Sequence, residues 1–224
     1  FEPASVILDN LPVYDEFGNF VIRLTIGTRM FAKKNTKTNT YKFFVASSNQ
    51  QKNAVPIEIF CSSTNVNAII PSYLPATKRN SILIAEQFLN QKYGWGGLFG
   101  YRDCSSTIKD YFSVFGIWIP RNSKAQVEYS SSQQNISKLS DEQKKLYLIK
   151  YGIPYWTIVW MQGHIMLYVG HKDNEPLILH SFWGLKINKH TEKDYTNIVG
   201  KTVITTLEPA KEIHGLKKSI IKRI

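Results

Sequence analysis

The chain has 224 residues, 43% hydrophobic and 20% charged, with 28 basic against 17 acidic side chains for a net charge of +11. That length and balance allow a sizeable core in one large or two small globular domains. No run approaches the ~18–20 apolar residues of a membrane span, and the two cysteines, Cys61 and Cys104, cannot build a disulfide framework, so both read as free thiols. The basic excess is diffuse, +4 over residues 1–79 and +7 over residues 80–224. It reads either as a solvated surface or as a long-range attraction to anionic polymers that salt would screen. No basic strand interleaved with aromatics appears, so nucleic acid is not an expected partner. Phe1 is neither an initiating methionine nor the start of a charged stretch leading into an apolar signal region, so the chain is expected to be trimmed.

Turn signals at Asp9-Asn10 and at residues 16–19, 35–39 and 47–53 separate short stretches, such as 20–26, 41–46 and 55–61, that favour strands. Five or six such strands predict a small all-β barrel over residues 1–75. Pro71 and Pro75 interrupt regular structure and mark a linker, which divides the chain into domains 1–75 and 76–224. Asn80 or Ser81 would then cap a helix running to Asn90, with Ile82, Ala85, Phe88 and Leu89 on one face.

The run Gly94-Trp95-Gly96-Gly97 lacks the spacing and the lysine of a phosphate-binding loop, so its glycines read as sites of close backbone approach. Residues 105–115 read as a helix with Ile108, Tyr111, Phe112 and Phe115 on one side, ended by Gly116. Asp103 can cap it. Cys104 then sits in the first turn, where unpaired N–H groups and the positive end of the helix dipole lower a thiol's pKa. Ser140 with Gln143 three residues on is a capping-box pattern for a helix over 141–150, closed by Gly152. Beyond it, residues 156–161, 164–169, 177–181 and 203–207 read as strands. Helices followed by a sheet predict an α+β domain with an antiparallel sheet, not alternating βαβ units.

A cysteine nucleophile needs a base within hydrogen-bond reach, and the base needs an orienting partner. Of five histidines, His164 opens one predicted strand and His180 lies near the end of the next. On neighbouring antiparallel strands the two can lie side by side, His164 taking the thiol proton while His180 fixes its tautomer through the other ring nitrogen. His171 in a turn, His190 in a polar loop and His214 near the C-terminus read as solvated. The competing interpretation makes Cys104 a small buried residue and both strand histidines structural. Cys61, in a strand with no neighbouring base, reads as structural. No short-spaced ligand pairs of the zinc type occur, so neither a metal nor another cofactor is expected.

Several elements stand in a distinctive order: Tyr93-Gly-Trp-Gly-Gly, Asp103-Cys104-Ser105, Phe115-Gly-Ile-Trp-Ile-Pro-Arg121-Asn122-Ser123 with Gln126, Gly163-His164, and His180. Across residues 80–207 they resemble the NlpC/P60 cysteine peptidases that cut peptidoglycan stem peptides. The resemblance implies a papain-like catalytic domain with the cysteine at a helix start against an antiparallel sheet. Cysteine before histidine also sets the chain apart from circularly permuted acyltransferases of the wider superfamily. Residues 1–75, through Leu11-Pro12-Val13-Tyr14 and Ile26-Gly27-Thr28, resemble a bacterial SH3 domain. Members of that subgroup carry further N-terminal modules, so the chain is expected to be part of a longer protein.

By this resemblance Cys104 is the nucleophile, His164 the base and His180 its orienting partner, with the Tyr93 hydroxyl and the Cys104 N–H facing the oxyanion. The bond implied is that between γ-D-glutamate and a diamino acid such as diaminopimelate. Asp103 would pair with the ammonium of a free N-terminal L-alanine. Ser105, Arg121 and Ser123 would surround the D-glutamate carboxylate, and Trp95 would wall the cleft. The plainer alternatives are Asp103 as helix cap, Arg121 as surface ion-pair partner and Trp95 as packing. Asn122 stands where some relatives carry aspartate. The expected partner is peptidoglycan or a released muropeptide, met by a monomer at the cell envelope, in the periplasm or outside the cell, or during cytoplasmic muropeptide recycling. Two other classes stay open: a non-catalytic wall-binding protein with a vestigial cysteine site, and a thiol amidase or acyltransferase acting on another substrate.

Overall fold

Short alternating stretches make the first seventy residues a set of strands, and every pairing among them is antiparallel. They are β1 (Glu2–Val6), β2 (Leu11–Tyr14), β3 (Phe20–Leu24), β4 (Arg29–Asn35), β5 (Thr40–Ser48), β6 (Ala54–Cys61) and β7 (Ile69–Pro71), in the order β3-β2-β6-β5-β4-β1-β7. The computed structural model describes residues 1–15, 17–37, 40–48, 54–61, 68–187, 195–213, 215–216 and 219–224, with 45–48, 54–61 and 195 as backbone. Val6, Leu11, Val13, Phe43 and Ile69 are buried on the inner face. The expected small barrel is not closed among the described residues: the ladder ends at β3 on one side and β7 on the other. Closure needs a continuous ladder, and Pro71, which has no N–H to donate, ends β7 after three residues. Of the predicted turns, Asn10 adopts a left-handed φ of 57°. Asp15 Oδ1 accepts the N–H groups of Phe17 (3.0 Å) and Asn19 (2.8 Å). Glu16, 38–39 and 49–53 of those turns lie outside the described residues.

Four helices follow: α1 (Lys78–Phe88), α2 (Cys104–Ser113), α3 (Ser123–Glu128) and α4 (Asp141–Tyr151). The first starts earlier than expected because Thr77, not Asn80 or Ser81, caps it, its Oγ1 accepting the Asn80 N–H at 3.2 Å. The inward residues are accordingly Ser81, Ile84, Ala85 and Phe88, with Ile82 and Leu89 only half-buried. In α2, Ile108, Tyr111 and Phe112 are buried as the spacing predicts, as is Phe115 just beyond. Gly116, at φ 82°, ends that turn with its N–H on the Ser113 carbonyl. Asn122 caps α3, a helix the sequence reading did not include, by accepting the Lys124 N–H at 2.9 Å.

Ser140 and Gln143 form the predicted capping box of α4 at 3.2 and 2.9 Å. Gly152 closes the helix for want of space: its φ is an ordinary −71°, but a Cβ there would lie 2.4 Å from the Leu148 carbonyl oxygen and 2.9 Å from the Tyr168 ring. Two lysines of α4 point inward. Lys144 Nζ donates to the Ile221 carbonyl at 2.9 Å, while Lys145 Nζ meets Glu142, Glu175 and Glu208 at 3.2, 2.8 and 2.7 Å. Burial alone would pull the Lys145 ammonium's pKa down, but three carboxylates outweigh it and raise it.

The second sheet holds β8 (Thr157–Met161), β9 (His164–Lys172), β10 (Glu175–Ile187) and β11 (Tyr195–Thr206), antiparallel in the order β11-β10-β9-β8. Its core includes Met166, Tyr168, Ile178, Leu207, Ile220 and Ile221. The last two strands extend well beyond 177–181 and 203–207, and they carry a bulge. Phe182 pairs with Lys201 but Gly184 with Ile198, so Trp183 opposes both Val199 and Gly200. By compactness the chain divides into two units, residues 1–80 with 110–118, and residues 81–109 with 119–224. No helix among the described residues is long and apolar enough to cross a membrane.

Candidate active site

Cys104 is set at the start of α2 by local bonds. Asp103 Oδ1 accepts the Ser106 N–H at 2.9 Å, and Ser106 Oγ accepts the Asp103 N–H at 2.8 Å, a reciprocal cap one residue before the thiol. The segment leading into the helix is tied to the sheet. The Arg102 carbonyl accepts Gly94 N–H at 2.9 Å and Ser181 Oγ of β10 at 3.2 Å. The Gly200 carbonyl, at the bulge of β11, accepts Tyr93 N–H at 2.8 Å. Gly94 is the glycine that close approach demands, since a Cβ would lie 2.5 Å from the Leu98 carbonyl oxygen. Gly96 and Gly97 instead serve positive φ values of 63° and 95° in the tight turns of Trp95–Gly100.

His164 and His180 meet as the strand reading expects, on adjacent strands with His164 Nε2 2.8 Å from His180 Nδ1. Phe182 lies over them, its ring stacked on His180 at 4.5 Å and 5.6 Å from His164. Burial pulls the His164 imidazole down to about 4, helped by the positive charge of Arg223, and burial also pulls His180 well below its ordinary value. The thiol differs from expectation. Burial raises the Cys104 pKa above its ordinary 9.0, and the Asp103 charge adds to this, outweighing the N–H groups of Ile165, Ser105 and Cys104 that favour thiolate. The helix start does supply the Ser105 and Cys104 donors, but with the sulfur buried, desolvation is the larger effect. The Ile165 N–H that favours the thiolate belongs to β9, immediately after His164.

Asp103 is the most heavily bonded group of the site. Arg121 Nη1 and Nη2 donate to Oδ1 and Oδ2 at 2.9 and 2.7 Å, Ser105 Oγ donates to Oδ1 at 3.0 Å, and the Gly96 N–H donates to Oδ2 at 3.1 Å. Burial pushes its carboxyl up, but the Arg121 guanidinium and the Ser106 donors hold it below the usual carboxylate range. Arg121 also donates to Ser105 Oγ at 2.7 Å. Asp103 therefore does act as the helix cap and Arg121 as its ion-pair partner. The Gln126 amide anchors the same corner, donating to the Ser105 and Pro120 carbonyls at 2.8 Å each. Ser123 is half-buried at the first position of α3. Arg102 turns away, its guanidinium over the Phe88 ring and bonded to Gln91 Oε1 at 2.8 Å.

An aromatic wall stands beside these groups. The Tyr93 ring lies 5.4 Å from Trp95 and 5.7 Å from Trp183, and the two tryptophans are 6.4 Å apart. Burial raises the Tyr93 pKa, as do the charge of Cys104 once that thiol ionises and the charge of Asp103, so the hydroxyl stays a donor. Trp183 is absent from the sequence reading, although its place three residues after His180 was a usable signal. Thr205 was also missed; its Oγ1 lies 3.1 Å from His180 Nε2, and nothing local to its own segment marks it. His171 is exposed, with Nδ1 3.2 Å from the Tyr168 hydroxyl. His190, His214 and the Cys61 side chain lie outside the described residues. Among the described residues no three His, Cys, Asp or Glu side chains converge as a metal site requires.

The NlpC/P60 family profile matches residues 90–203, just over half of the chain. A solved structure of an NlpC/P60 endopeptidase from Photobacterium damselae subsp. piscicida is similar over 92% of this chain and 47% of that one, at 23% identity and a TM-score of 0.76. An NlpC/P60 family protein from Bacillus cereus is similar over 98% of this chain and 64% of that one, at 16% identity and a TM-score of 0.61. At these identities the likeness is one of fold, and the chain spans less than two thirds of either structure's length. No curated protein sequence matches it. With the family profile covering the segment that carries Tyr93, Cys104, His164 and His180, this chain belongs to the NlpC/P60 family.

Proposed function

We propose that the chain is a cysteine endopeptidase of peptidoglycan stem peptides, acting on the bond between γ-D-glutamate and a diamino acid. One observation carries the reading. A thiol at a helix start, whose thiolate is favoured by the N–H next to His164, shares its surroundings with a His164–His180 pair whose ring nitrogens are 2.8 Å apart. A thiol nucleophile needs a base and the base an orienter, and this grouping supports those roles.

In this reading the Cys104 sulfur attacks the scissile carbonyl carbon as its proton passes to His164. The oxyanion is met by the Cys104 N–H and the Tyr93 hydroxyl, each such donor lowering the barrier by about 3–4 kcal/mol in comparable sites. His164 then protonates the leaving amine, the carbon–nitrogen bond breaks, and a thioester remains. Water attacks it with His164 as base, releasing the carboxylate and restoring the thiol. Arg121 and Ser105, with Ser123 close by in sequence, receive the D-glutamate carboxylate, and Trp95 walls the cleft. Asp103 keeps Arg121 in position; an L-alanine ammonium would have to share a carboxylate that already accepts Arg121, Ser105, Ser106 and Gly96. Residues 1–75 are assigned as an SH3-like wall-binding module, and work on the wall or its fragments puts the protein at the envelope or in muropeptide recycling.

The test is incubation of the full-length protein with L-Ala-γ-D-Glu-diaminopimelate under reducing conditions, read by mass spectrometry, with Cys104→Ala as control. Release of the dipeptide by the wild type alone supports the proposal. An intact substrate rules it out.

A further inference from the structure

The face of the second sheet that carries the two histidines holds one more polar side chain in the same row. Thr205 of β11 pairs with Ile178 of β10, which makes it the diagonal neighbour of His180 on one face. Its Oγ1 lies 3.1 Å from His180 Nε2 and 2.8 Å from its other partner, the Thr206 carbonyl oxygen. A carbonyl oxygen can only accept, and a hydroxyl has one proton. The Thr205 proton therefore goes to Thr206, and toward His180 the hydroxyl accepts.

The consequence runs through both rings. His180 must carry its proton on Nε2, which in the neutral ring leaves Nδ1 bare. Nδ1 then accepts from His164 Nε2–H across the 2.8 Å contact. A neutral His164 protonated on Nε2 has its lone pair on Nδ1, the nitrogen that does not face His180 and the one able to take a proton from the thiol. Both imidazoles are held neutral by burial, and Phe182 stacked on His180 at 4.5 Å covers the contact. In the opposite arrangement His180 Nδ1–H would donate to His164 Nε2, and His164 would present N–H, not a lone pair, to the thiol.

We infer that Thr205 is a positioning residue of the relay, a hydroxyl that fixes the tautomer of His180 and, through it, makes Nδ1 of His164 the basic nitrogen. The inference rests on the peptidase reading only for its kinetic arm; the tautomers are measurable without turnover.

The experiment is histidine 15N NMR of the full chain at pH 7, in which long-range 1H–15N couplings distinguish Nδ1–H from Nε2–H rings, on wild type, Thr205→Val and Thr205→Ser. The wild type is expected to show Nε2–H for both His164 and His180. Thr205→Val should acquire the Nδ1–H form of His180 and lose about 10- to 100-fold in kcat with KM little changed, the range for loss of an outer hydrogen-bond partner of a functional imidazole. Thr205→Ser should restore the tautomers and most of the turnover. An Nδ1–H ring at His180 in the wild type would overturn the inference even if the valine variant did not fold. So would a folded valine variant with unchanged tautomers. A wild type with Nε2–H on both rings but no peptide cleavage would uphold the relay and defeat the peptidase reading instead.

Discussion

Changing the pH tests whether the site rests as a neutral thiol and imidazole or as a thiolate–imidazolium pair. Burial pulls His164 down to about 4 and pushes the Cys104 thiol up, and both shifts oppose an ion pair. At 1.36 kcal/mol per unit, the drop at His164 from 6.5 to about 4 alone adds about 3 kcal/mol to the cost of moving the proton from sulfur to nitrogen. Burial acts in the same direction on both partners, so the neutral pair is the resting form. Thiolate is then the minor form at pH 7. Iodoacetamide alkylation, mapped to the Cys104 peptide by mass spectrometry, should accelerate about tenfold per pH unit from pH 6 to 9, as a thiolate-limited reaction does. His164→Ala should change it little at pH 7. A rate that is flat from pH 5 to 8 and collapses in His164→Ala would refute this reasoning. The same pKa values put the acid limb of kcat/KM near 4, where His164 becomes protonated and can no longer accept.

Asp103→Asn retains a capping oxygen but removes a negative charge that raises the thiol pKa; Cys104 alkylation at pH 7 should become faster, while the half-exposed Arg121 pair limits the stability loss to about 1 kcal/mol by denaturant titration. His164→Ala should abolish cleavage and His180→Ala should leave residual activity, because an orienting ring is less indispensable than the base; equal losses in two folded variants would contradict the assigned roles. His164, with a folded pKa of about 4 against 6.5 unfolded, makes stability fall as pH drops through that window, since the unfolded chain binds the proton first. Its share is roughly 3 kcal/mol, read as the difference between wild type and His164→Gln in urea titrations at pH 7 and pH 4. Gly152→Ala should cost about 1–3 kcal/mol in the same assay, because its Cβ would meet the Leu148 carbonyl oxygen at 2.4 Å although the backbone conformation suits alanine.

What the sequence determined by itself is what depends on near neighbours. The Asp103 cap and the Ser140–Gln143 box span three residues each, and the strands that begin at His164 and contain His180 follow from local apolar patterning, so each was legible before any tertiary contact was known. The family resemblance added an ordered set of such local signals. Where the first helix begins was harder, because Thr77 and Ser81 carry equally suitable hydroxyls and the buried face at Ile84 decided between them.

Tertiary structure decided the chemistry. The protonation states of Cys104 and His164 follow from desolvation, and burial is a property of the whole domain. Arg121 reaches Asp103 across eighteen residues and thereby occupies a carboxylate that the sequence offered to a substrate ammonium. Thr205, twenty-five residues from His180, joins it only because β10 and β11 pair in one register, and a one-residue slip would send its hydroxyl to the other face. Side-chain type is written in the chain, but tautomer, charge state and partner are set by which groups folding removes from water together.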